Sequence, residues 1–273
     1  MPGLSLMTFN IGSPSEERAH RQLAWLATRP EDIFVLTETR ASDGCRHLAD
    51  AFRTAGYAVV YPKPGPTEYG VMIVSRLPVQ VDPIGAHLPF LQERVAGVLV
   101  STGMGLVRVL GAYAPTRDAT ADRTERKRRW LSGFSAALGG CGLTDSGAET
   151  VLLGDLNVIE PDHEPSYTTF RWFEYDFYRG LTDRHGLVDT FRHAEPDLVE
   201  HSWIGRTGDG YRYDHAHCTK KLAADLEECE YVHEPRTTRL SDHSALSVTF
   251  ACAPTAELTT MDPFEAASPP TLF

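Results

Sequence analysis

Residues 150–157 read Thr150-Val151-Leu152-Leu153-Gly154-Asp155-Leu156-Asn157, an apolar run that ends in a carboxylate and a carboxamide. The run predicts a buried strand, and Gly154 permits a sharp exit from it. Asp155 and Asn157 lie two positions apart, so their side chains point the same way in an extended chain. That pairing suits a carboxylate that positions or deprotonates a water, with an amide that contacts the same phosphate. An Asx turn after a core strand is the simpler alternative.

Two more polar groups stand at the ends of strand-like runs. Glu38 follows the run Asp32–Leu36, and Asp242 with His243 precedes the run Ala245–Phe250. Strand ends that carry carboxylate, carboxamide and imidazole groups are what a cleft needs to hold a hard divalent cation beside a phosphate. Together these groups predict a metal-dependent phosphoesterase, although Glu38 alone is equally consistent with a solvated loop glutamate.

Two further strand ends carry one polar side chain each. Asn10 follows the run Leu4–Phe9, where it could bond a carboxylate, although an ordinary turn residue has the same pattern. Tyr113 ends the run Leu106–Tyr113, where a phenol could donate to a phosphate oxygen, and a core tyrosine is equally common there. The residues alone leave both alternatives open.

One histidine is a functional candidate and two others are not. His243 could contact a phosphate oxygen, since imidazole changes its charge near neutral pH. A carboxylate would fix its tautomer, and Asp214 is the natural candidate. His215 and His217 alternate with Asp214, so on a strand one expects them to face away from it. We interpret these two as core or surface residues rather than ligands.

The composition fits a chain that can bury a large core. It has 273 residues, of which 42% are hydrophobic, and no apolar run approaches the roughly 20 residues of a membrane span. The segment Met1–Asn10 holds no basic region and reads as a strand, so we expect no secretory signal.

The five cysteines are widely spaced and include no Cys-x-x-Cys pair. That pattern argues against a zinc ribbon or a disulfide framework and favours the cytoplasm.

The net charge of −11 argues against non-specific coating of polyanions. A local basic groove that acts with a bound cation is still compatible with a nucleic-acid substrate. The best candidate is Arg117–Arg129, where six basic residues against three acidic ones leave a local charge of +3. A solvated helix face with ordinary ion pairs is the alternative.

Strand-like runs and helical patterns are interspersed along the chain. The predicted strands are Leu4–Phe9, Ile33–Leu36, Ala58–Tyr61, Gly70–Val74, Gly97–Val100, Leu106–Tyr113, Val151–Leu153 and Ala245–Phe250. The predicted helices are Glu16–Ala27, Cys45–Ala55, Arg123–Leu138 and Arg171–His185. Some consecutive strands are joined by hairpin-length loops and others by helices, which predicts mixed sheets in a layered α/β fold.

No linker divides residues 1–252, which we expect to form the catalytic domain. From Ala253 to Phe273 the composition turns to Pro, Thr, Ala and acidic residues without a base. This segment cannot bury enough apolar surface to offset the entropy of ordering it, which predicts a disordered tail.

Taken in order, the polar strand ends resemble the endonuclease/exonuclease/phosphatase superfamily from about Leu4 to Phe250. The motifs that carry the resemblance are Asn10, Glu38, Tyr113, Asp155 with Asn157, Arg212-Tyr213-Asp214, and Asp242 with His243. Within the superfamily the chain is most similar to the exonuclease III/AP endonuclease branch. That likeness rests on Gly186–His193, Ser202-Trp203 and the helix-like Arg128–Leu131 after the Tyr-x-Pro turn.

The resemblance implies a four-layer α/β sandwich, in which two mixed sheets pack face to face and are flanked by helices. It also implies metal-assisted hydrolysis of a phosphodiester. Glu38 would ligate Mg²⁺ or Mn²⁺, with Asn10 and Asp242 beside it. The cation would act as a Lewis acid.

The resemblance further assigns the catalytic and substrate-binding roles. Asp155 would align and activate the attacking water, and Asn157 and Tyr113 would contact the scissile phosphate. Asp214 and His243 would form a dyad that stabilises the developing charge. The substrate-binding candidates are Arg212, Trp203 and Thr116.

Three departures from the branch concern the substrate. Thr116 stands where AP endonucleases commonly carry a carboxamide, the loop Ile204–Tyr211 is shorter, and the segment after Asn157 is more acidic. The leading hypothesis is a monomeric DNA nuclease that digests 3′ ends, incises abasic sites or does both. The alternatives are the same core acting on a small or lipid-linked phosphoester, and a non-catalytic binding module.

Overall fold

A computed structural model describes residues 3–118, 120–140 and 147–267. The strands in these residues are β1 (Leu4–Asn10), β2 (Ile33–Thr39), β3 (Ala58–Val60), β4 (Gly70–Ser75), β5 (Gln80–Asp82), β6 (Val95–Thr102), β7 (Gly105–Tyr113), β8 (Glu149–Asp155), β9 (Leu187–Asp189), β10 (Trp203–Ile204), β11 (Gly210–Tyr211), β12 (Asp214–Thr219), β13 (Leu226–Val232) and β14 (Ala245–Phe250). The α-helices are α1 (Glu16–Ala27), α2 (Asp43–Thr54), α3 (Ala121–Gly140), α4 (Trp172–Asp183), α5 (Thr190–Ala194), α6 (Lys220–Ala224), α7 (Glu234–Thr237) and α8 (Pro263–Ala267). Two 3₁₀ turns cover Pro83–His87 and Gln92–Arg94.

The strands form two mixed sheets of six strands and a short hairpin, β10–β11. The order in the first sheet is β13-β14-β1-β2-β4-β3, and in the second β5-β6-β7-β8-β12-β9. β1 pairs in parallel with β2 and antiparallel with β14, while β7 and β8 are parallel neighbours. Every strand and helix predicted from the sequence is present, and the prediction of mixed sheets is confirmed.

Three apolar clusters separate the layers. The sheets pack face to face through side chains such as Val35, Val109 and Leu153. A second cluster joins α1 and α2 to the first sheet, and a third joins α3 and α4 to the second sheet. At Gly111 the sheets approach so closely that a Cβ would lie 2.7 Å from a methyl carbon of Val35. The expected four-layer sandwich is therefore confirmed.

The segment after β14 differs from the sequence prediction. The backbone N–H of Met261 bonds the oxygen of Ala55 at 2.9 Å, and the Phe264 ring of α8 lies 4.9 Å from the His20 ring. These contacts join the segment to α1 and α2, although its composition suggests disorder. The structure thus gives residues 253–267 defined contacts where the composition predicts disorder, while residues 268–273 lie outside the described residues.

The cysteines in the described ranges are Cys45, Cys218, Cys229 and Cys252, and all four are free and buried. Cys141 lies outside those ranges. Within them, no helix combines the length and the apolar character that crossing a bilayer requires.

Candidate active site

Polar side chains from both sheets meet where their central strands end. Asn10 is the last residue of β1, Tyr113 ends β7, and Asp155 ends β8. Tyr113 and Asp214 flank Asp155 in register, because β8 pairs with both β7 and β12. The two sheets therefore bring together residues that are far apart in the sequence.

Asn10 connects the two sheets. It is fully buried, and its amide nitrogen donates to Asp155 Oδ2 at 2.9 Å and lies 3.5 Å from His243 Nε2. Its amide oxygen accepts a hydrogen bond from the backbone N–H of Gly12 at 2.9 Å. Of the two sequence-level alternatives for Asn10, the structure favours an amide that bonds a carboxylate over an ordinary turn residue.

His243 and Asp214 form a buried pair. The ring Nδ1 lies 2.7 Å from Asp214 Oδ2, so the carboxylate fixes the orientation of the ring. Burial lowers the pKa of His243, but the charge of Asp214 and this hydrogen bond outweigh burial and raise the pKa to about 10. In this arrangement the imidazole is positively charged at neutral pH. Asp214 Oδ1 is buried and has no hydrogen-bond partner in the described chain.

The pKa values of two carboxyl groups at this edge of the sheets are raised. Burial raises the pKa of Asp155, and the charge of Asp214 raises it further against the opposing effect of His243. Burial also raises the pKa of Glu38, which a hydrogen bond from Asn10 partly offsets. Such shifts mean that each negative charge is unfavourable where it stands. A cation bound among these groups would stabilise their ionised forms.

The donor atoms suit a hard divalent cation. Ligand atoms of Asp155, Asp214 and His243 lie within 4.8 Å of one another, the one cluster of this kind among the residues described. Asp214 Oδ2 already bonds His243, and the carboxylates of Asp155, Glu38 and Asp242 line the adjoining cavity, where a cation could reach them. Carboxylate oxygens are the ligands that Mg²⁺ takes, usually one or two at a time. The residues therefore fit such an ion.

Two site residues have left-handed backbone conformations. Glu38 has a φ of 57° at a bulge, where the register between β2 and β4 shifts. A bulge re-aims a side chain, and here it directs Glu38 into the cavity described below. Asn157 has a φ of 50°, and its backbone N–H bonds Asp155 Oδ1 at 2.9 Å. The Asx turn is therefore present, and the assumption of an extended chain from Asp155 to Asn157 is wrong.

A buried lysine holds the turn after Asp155. Lys127 Nζ lies 2.5 Å from the backbone oxygen of Asn157 and 2.5 Å from Glu174 Oε1. Glu174 Oε2 accepts a further bond from Arg117 Nε at 2.8 Å. This network ties α3 and α4 to the turn that carries Asn157. Sequence reasoning missed it, because Lys127 and Glu174 are distant in the chain.

A cavity of about 800 Å³ opens beside these residues, and part of its wall is aromatic. The rings in the wall are those of Tyr69, Tyr113, Phe170, Trp203, Tyr211 and Tyr213. Tyr211 and Tyr213 stack with centroids 5.1 Å apart and 13° between their planes. The indole N–H of Trp203 donates to Asp242 Oδ2 at 2.9 Å, which joins this wall to the carboxylates. Trp203 therefore lies in the cavity where the sequence places it, whereas Tyr211 and Tyr213 were not predicted.

Basic side chains line another part of the same cavity. They are Arg117, Arg123, Lys127 and Arg171. Other members of the patch 117–129 form surface ion pairs, since Arg126 bonds Glu68 at 2.5 Å and Arg128 bonds Glu125 at 2.6 Å. Each alternative for the patch thus describes some of its residues. Thr116 is exposed and also lines the cavity.

Arg212 does not line the cavity. Its side chain is fully buried and pairs with Glu160 and, at 2.7 Å, with Asp189. Its neighbours Tyr211 and Tyr213 line the cavity instead, so Arg212 projects the other way between them. A guanidinium that is buried and already paired with two carboxylates cannot reach a substrate. The buried position of Arg212 therefore argues against its predicted role in substrate binding.

His215 and His217 also lie away from the cavity. Both are buried, His215 Nε2 is 2.9 Å from the backbone oxygen of Val158, and His217 Nε2 is 3.8 Å from Asp189 Oδ2. This placement agrees with their interpretation as core residues.

Tyr113 is held as a protonated donor. Burial raises its pKa well above the usual value, and the charges of Glu38 and Asp155 raise it further. The guanidinium of Arg94 lies 4.8 Å from the centre of the ring. Arg94 was not predicted from the sequence to be part of the site. Arg94 also donates to the backbone oxygen of Tyr113 at 3.3 Å, which fixes the end of β7.

Comparison with known proteins places this geometry in a family. No curated protein matches the sequence. Among solved structures, a 3′ phosphatase from Neisseria bound to a product DNA hairpin has 25% identity and a TM-score of 0.76. A 3′–5′ exonuclease from Neisseria meningitidis has 25% identity and a TM-score of 0.74. Each alignment covers 90% of this chain and 99% of the other.

An AP endonuclease from Archaeoglobus fulgidus shares the fold at 23% identity, with a TM-score of 0.76 and the same coverage of 90% and 99%. The sequence pattern of the Endonuclease/Exonuclease/phosphatase family matches residues 7–243, which is most of the chain. That span begins inside β1 and ends at His243, so it contains every strand end that builds the site. The chain belongs to the endonuclease/exonuclease/phosphatase family.

Proposed function

We propose that this protein is a metal-dependent DNA phosphodiesterase of exonuclease III type, which digests 3′ ends, incises abasic sites or does both. The observation that carries the proposal is the contact set around Asp155, where Asn10 and the Asp214–His243 pair meet beside a cavity with aromatic and basic walls. Aromatic rings suit bases and sugars, and guanidinium groups suit phosphates. The similar Neisseria structures, described as a 3′ phosphatase bound to product DNA and as a 3′–5′ exonuclease, support DNA as the substrate. We also infer a monomer that acts in the cytoplasm.

Asp155 is the residue that we assign to the attacking water. Burial and the neighbouring carboxylates disfavour its ionised form, and a bound cation would keep it ionised, as a proton acceptor must be. Tyr113 donates to a phosphate oxygen. The side-chain amide of Asn157 donates one hydrogen bond to the backbone oxygen of Ala114 at 3.0 Å. Its second N–H can donate to the phosphate.

Glu38, Asn10 and Asp242 are the residues that we assign to Mg²⁺ or Mn²⁺, with Asp155 as a further oxygen donor. When bound, the cation supplies Lewis-acid neutralisation of the charge that develops on the phosphate. The raised pKa values of Glu38 and Asp155 support this assignment, because burial disfavours both negative charges by more than His243 offsets.

The activity test uses a labelled duplex that carries one abasic analogue, with Mg²⁺, with EDTA, and with an Asp155→Asn protein. Cleavage that is lost in both controls supports a metal-dependent DNA hydrolase, and the product ends separate incision from 3′ digestion. Folded, metal-loaded protein that leaves this duplex and nicked or gapped duplexes uncut contradicts the proposal. The search would then move to small phosphodiesters.

Cation binding should stabilise the fold independently of turnover. Mg²⁺ at a hundredfold excess over its dissociation constant adds about 2.7 kcal/mol to the free energy of unfolding. We expect a rise in Tm of several degrees that EDTA reverses and that Glu38→Gln reduces. Differential scanning calorimetry measures this, and Glu228→Gln, at an exposed position on β13, is the matched control. An equal shift in both variants would place the cation elsewhere.

The Asp214–His243 pair should behave as one unit. His243→Ala removes the cationic ring that stabilises the phosphate charge, and we expect kcat/KM to fall about 10²–10³-fold. Asp214→Asn loses the partner that orients and charges the ring, so the double variant should be little worse than either single one. Steady-state kinetics on the abasic duplex measure this, with His87→Gln, an exposed histidine, as control. Losses that multiply in the double variant would mean two independent roles.

A further inference from the structure

The first residue of α4, Trp172, carries its indole into solvent. It is 75% exposed, the highest value among the large exposed hydrophobic side chains in the described residues. Its ring meets only the edge of Phe173, with centroids 6.4 Å apart and planes at 88° among the ring contacts described. A single exposed apolar side chain is ordinary on a protein surface, so the residues around Trp172 decide whether it has a function.

A groove of about 290 Å³ lies beside the indole. Leu131 and Phe173 give it an apolar lining, and Arg128 and Arg184 contribute guanidinium groups. Each of these arginines is about half exposed and has one carboxylate partner within 3.1 Å. Exposed ion pairs of this kind contribute little stability, so a phosphate can take over from the carboxylate at small cost. An aromatic ring that shares a groove with guanidinium groups suits single-stranded nucleic acid, whose bases stack on the ring and whose phosphates pair with the cations.

Neighbouring residues of the chain line the groove and the catalytic cavity. Phe170 and Arg171 line that cavity, and Trp172 follows directly, with its Cα about 3.8 Å from that of Arg171. Helix α3 does the same, since Lys127 lines the cavity and the next residue, Arg128, lines the groove. Because consecutive residues line the two depressions, we infer that a strand with one phosphate in the cavity can reach the indole within a few nucleotides.

We propose that Trp172 stacks on a nucleobase of an unpaired segment of the DNA whose phosphate occupies the catalytic cavity. The proposal rests on the function proposed above and adds a preference for substrates with a single-stranded segment beside the cleavage site. Stacking on an exposed ring accepts any base, since every base has a π face. A base inside a duplex is already stacked and has no free face to offer the indole.

The test compares Trp172→Ala with wild-type protein on one abasic duplex, prepared blunt and with a 3′ or a 5′ single-stranded overhang. We expect Trp172→Ala to lose about tenfold in kcat/KM on one overhang substrate, through KM, and to match wild type on the blunt duplex. Trp172→Phe keeps a stacking face and should recover most of the loss. Met261→Ala is the control, because Met261 is 62% exposed and lies beside α2, in the opposite outer layer. Equal kinetics of Trp172→Ala and wild type on all three substrates would overturn the proposal.

A binding measurement separates failure of this inference from failure of the proposed function. Acrylamide quenching of wild-type protein, corrected with Trp172→Phe, reports the accessibility of this one indole with and without a single-stranded oligonucleotide. Protection of the indole supports the stacking site even if no DNA is cut, in which case only the proposed activity falls. Cleavage of the abasic duplex without protection, and without an effect of Trp172→Ala, removes the stacking site and leaves the activity. A groove that binds a partner protein's aliphatic side chain instead would give this second result.

Discussion

Asp155→Asn is expected to lower kcat on the abasic duplex about 10²–10⁴-fold, the range that a general base contributes, while the protein stays folded. The carboxylate is the proton acceptor in the proposed reaction, and a carboxamide of the same shape cannot take that proton. The carboxylate of Asp155 also accepts hydrogen bonds from Asn10 and Asn157, and Asp214 lies opposite Asp155 in the register of β8 and β12. Single-turnover kinetics with saturating Mg²⁺ measure the chemical step without product release.

The same substitution should change stability little. Replacing the carboxylate removes a buried negative charge that its neighbours Asp214 and Glu38 disfavour. Against this gain, the amide nitrogen of the new side chain would face the amide nitrogen of Asn10, which donates to Asp155 Oδ2 at 2.9 Å. Two donors cannot bond each other, so one hydrogen bond worth about 1 kcal/mol is lost. The two effects oppose each other, and we expect the Tm to shift by only a few degrees.

The matched control is Asp50→Asn, the same chemical change on the exposed side chain of α2, which pairs only with Arg53 at 3.1 Å among its described ion pairs. We expect its kcat to equal that of wild type. Retention of wild-type kcat in Asp155→Asn would remove Asp155 from the chemistry and leave the proton acceptor to another residue. Loss of kcat together with a collapsed Tm would indicate a structural role for Asp155 instead.

The sequence allowed the strand ends to be predicted because their signal is local. Asn10, Tyr113 and Asp155 each follow an apolar run that reads as a strand without reference to the rest of the chain. The pairing of Asp214 with His243 needed one further idea, that an imidazole in a site requires a carboxylate to orient it. These residues are brought together by sheet register, which the mixed topology fixes.

The strands that escaped prediction lack an apolar run. β13 reads Leu-Glu-Glu-Cys-Glu-Tyr-Val and is an edge strand whose glutamates lie mostly in solvent. β12 reads Asp-His-Ala-His-Cys-Thr, although its first five residues are all buried. His215 is accommodated there because its Nε2 lies within hydrogen-bond distance of the backbone oxygen of Val158.

Partners that are distant in sequence account for the remaining errors. The Lys127–Glu174 contact spans 47 positions and the Arg212–Glu160 contact spans 52. Nothing in the residues around Arg212 distinguishes a buried guanidinium from one that reaches a phosphate. Its place two positions before Asp214 suggested that it binds substrate, whereas it pairs with Glu160 and Asp189 in other parts of the chain.

Arg212→Met is expected to destabilise the fold by about 3–5 kcal/mol, because it leaves buried carboxylates without their cation. Burial raises the pKa of Glu160, but Arg192 and Arg212 outweigh burial and lower it to about 2. Burial likewise opposes ionisation of Asp189, and the charge of Arg212 holds the pKa of that carboxyl well below its usual value. Urea unfolding at pH 7 measures the loss.

The loss should depend on pH with a defined sign. Carboxyl groups whose pKa is depressed by folding stabilise the native state above their unfolded values of about 4, and this contribution disappears as the pH falls toward 2. In Arg212→Met the charge that depresses the pKa of Asp189 is gone, so burial raises that pKa. The free-energy gap between wild type and variant should therefore be largest near pH 7 and narrow below about pH 4. A gap that stays constant from pH 7 to about pH 3 would mean that packing of the arginine side chain, and not its charge, stabilises the fold.

Two further variants separate this structural role from substrate binding. Arg212→Met combined with Asp189→Asn should recover part of the lost stability, because the uncompensated charge is removed, while Arg53→Met, at an exposed ion pair, should cost less than about 1 kcal/mol. Since Arg212 has no access to the cavity, KM for the abasic duplex should be unchanged in Arg212→Met at a temperature where it is folded. A folded Arg212→Met protein with wild-type stability and a raised KM would restore the role in substrate binding that the buried position argues against. The buried ion pairs of Arg212 thus contribute to the site by holding the segment that carries Tyr211, Tyr213 and Asp214. Removing them should lower the free energy of unfolding without changing the affinity for substrate.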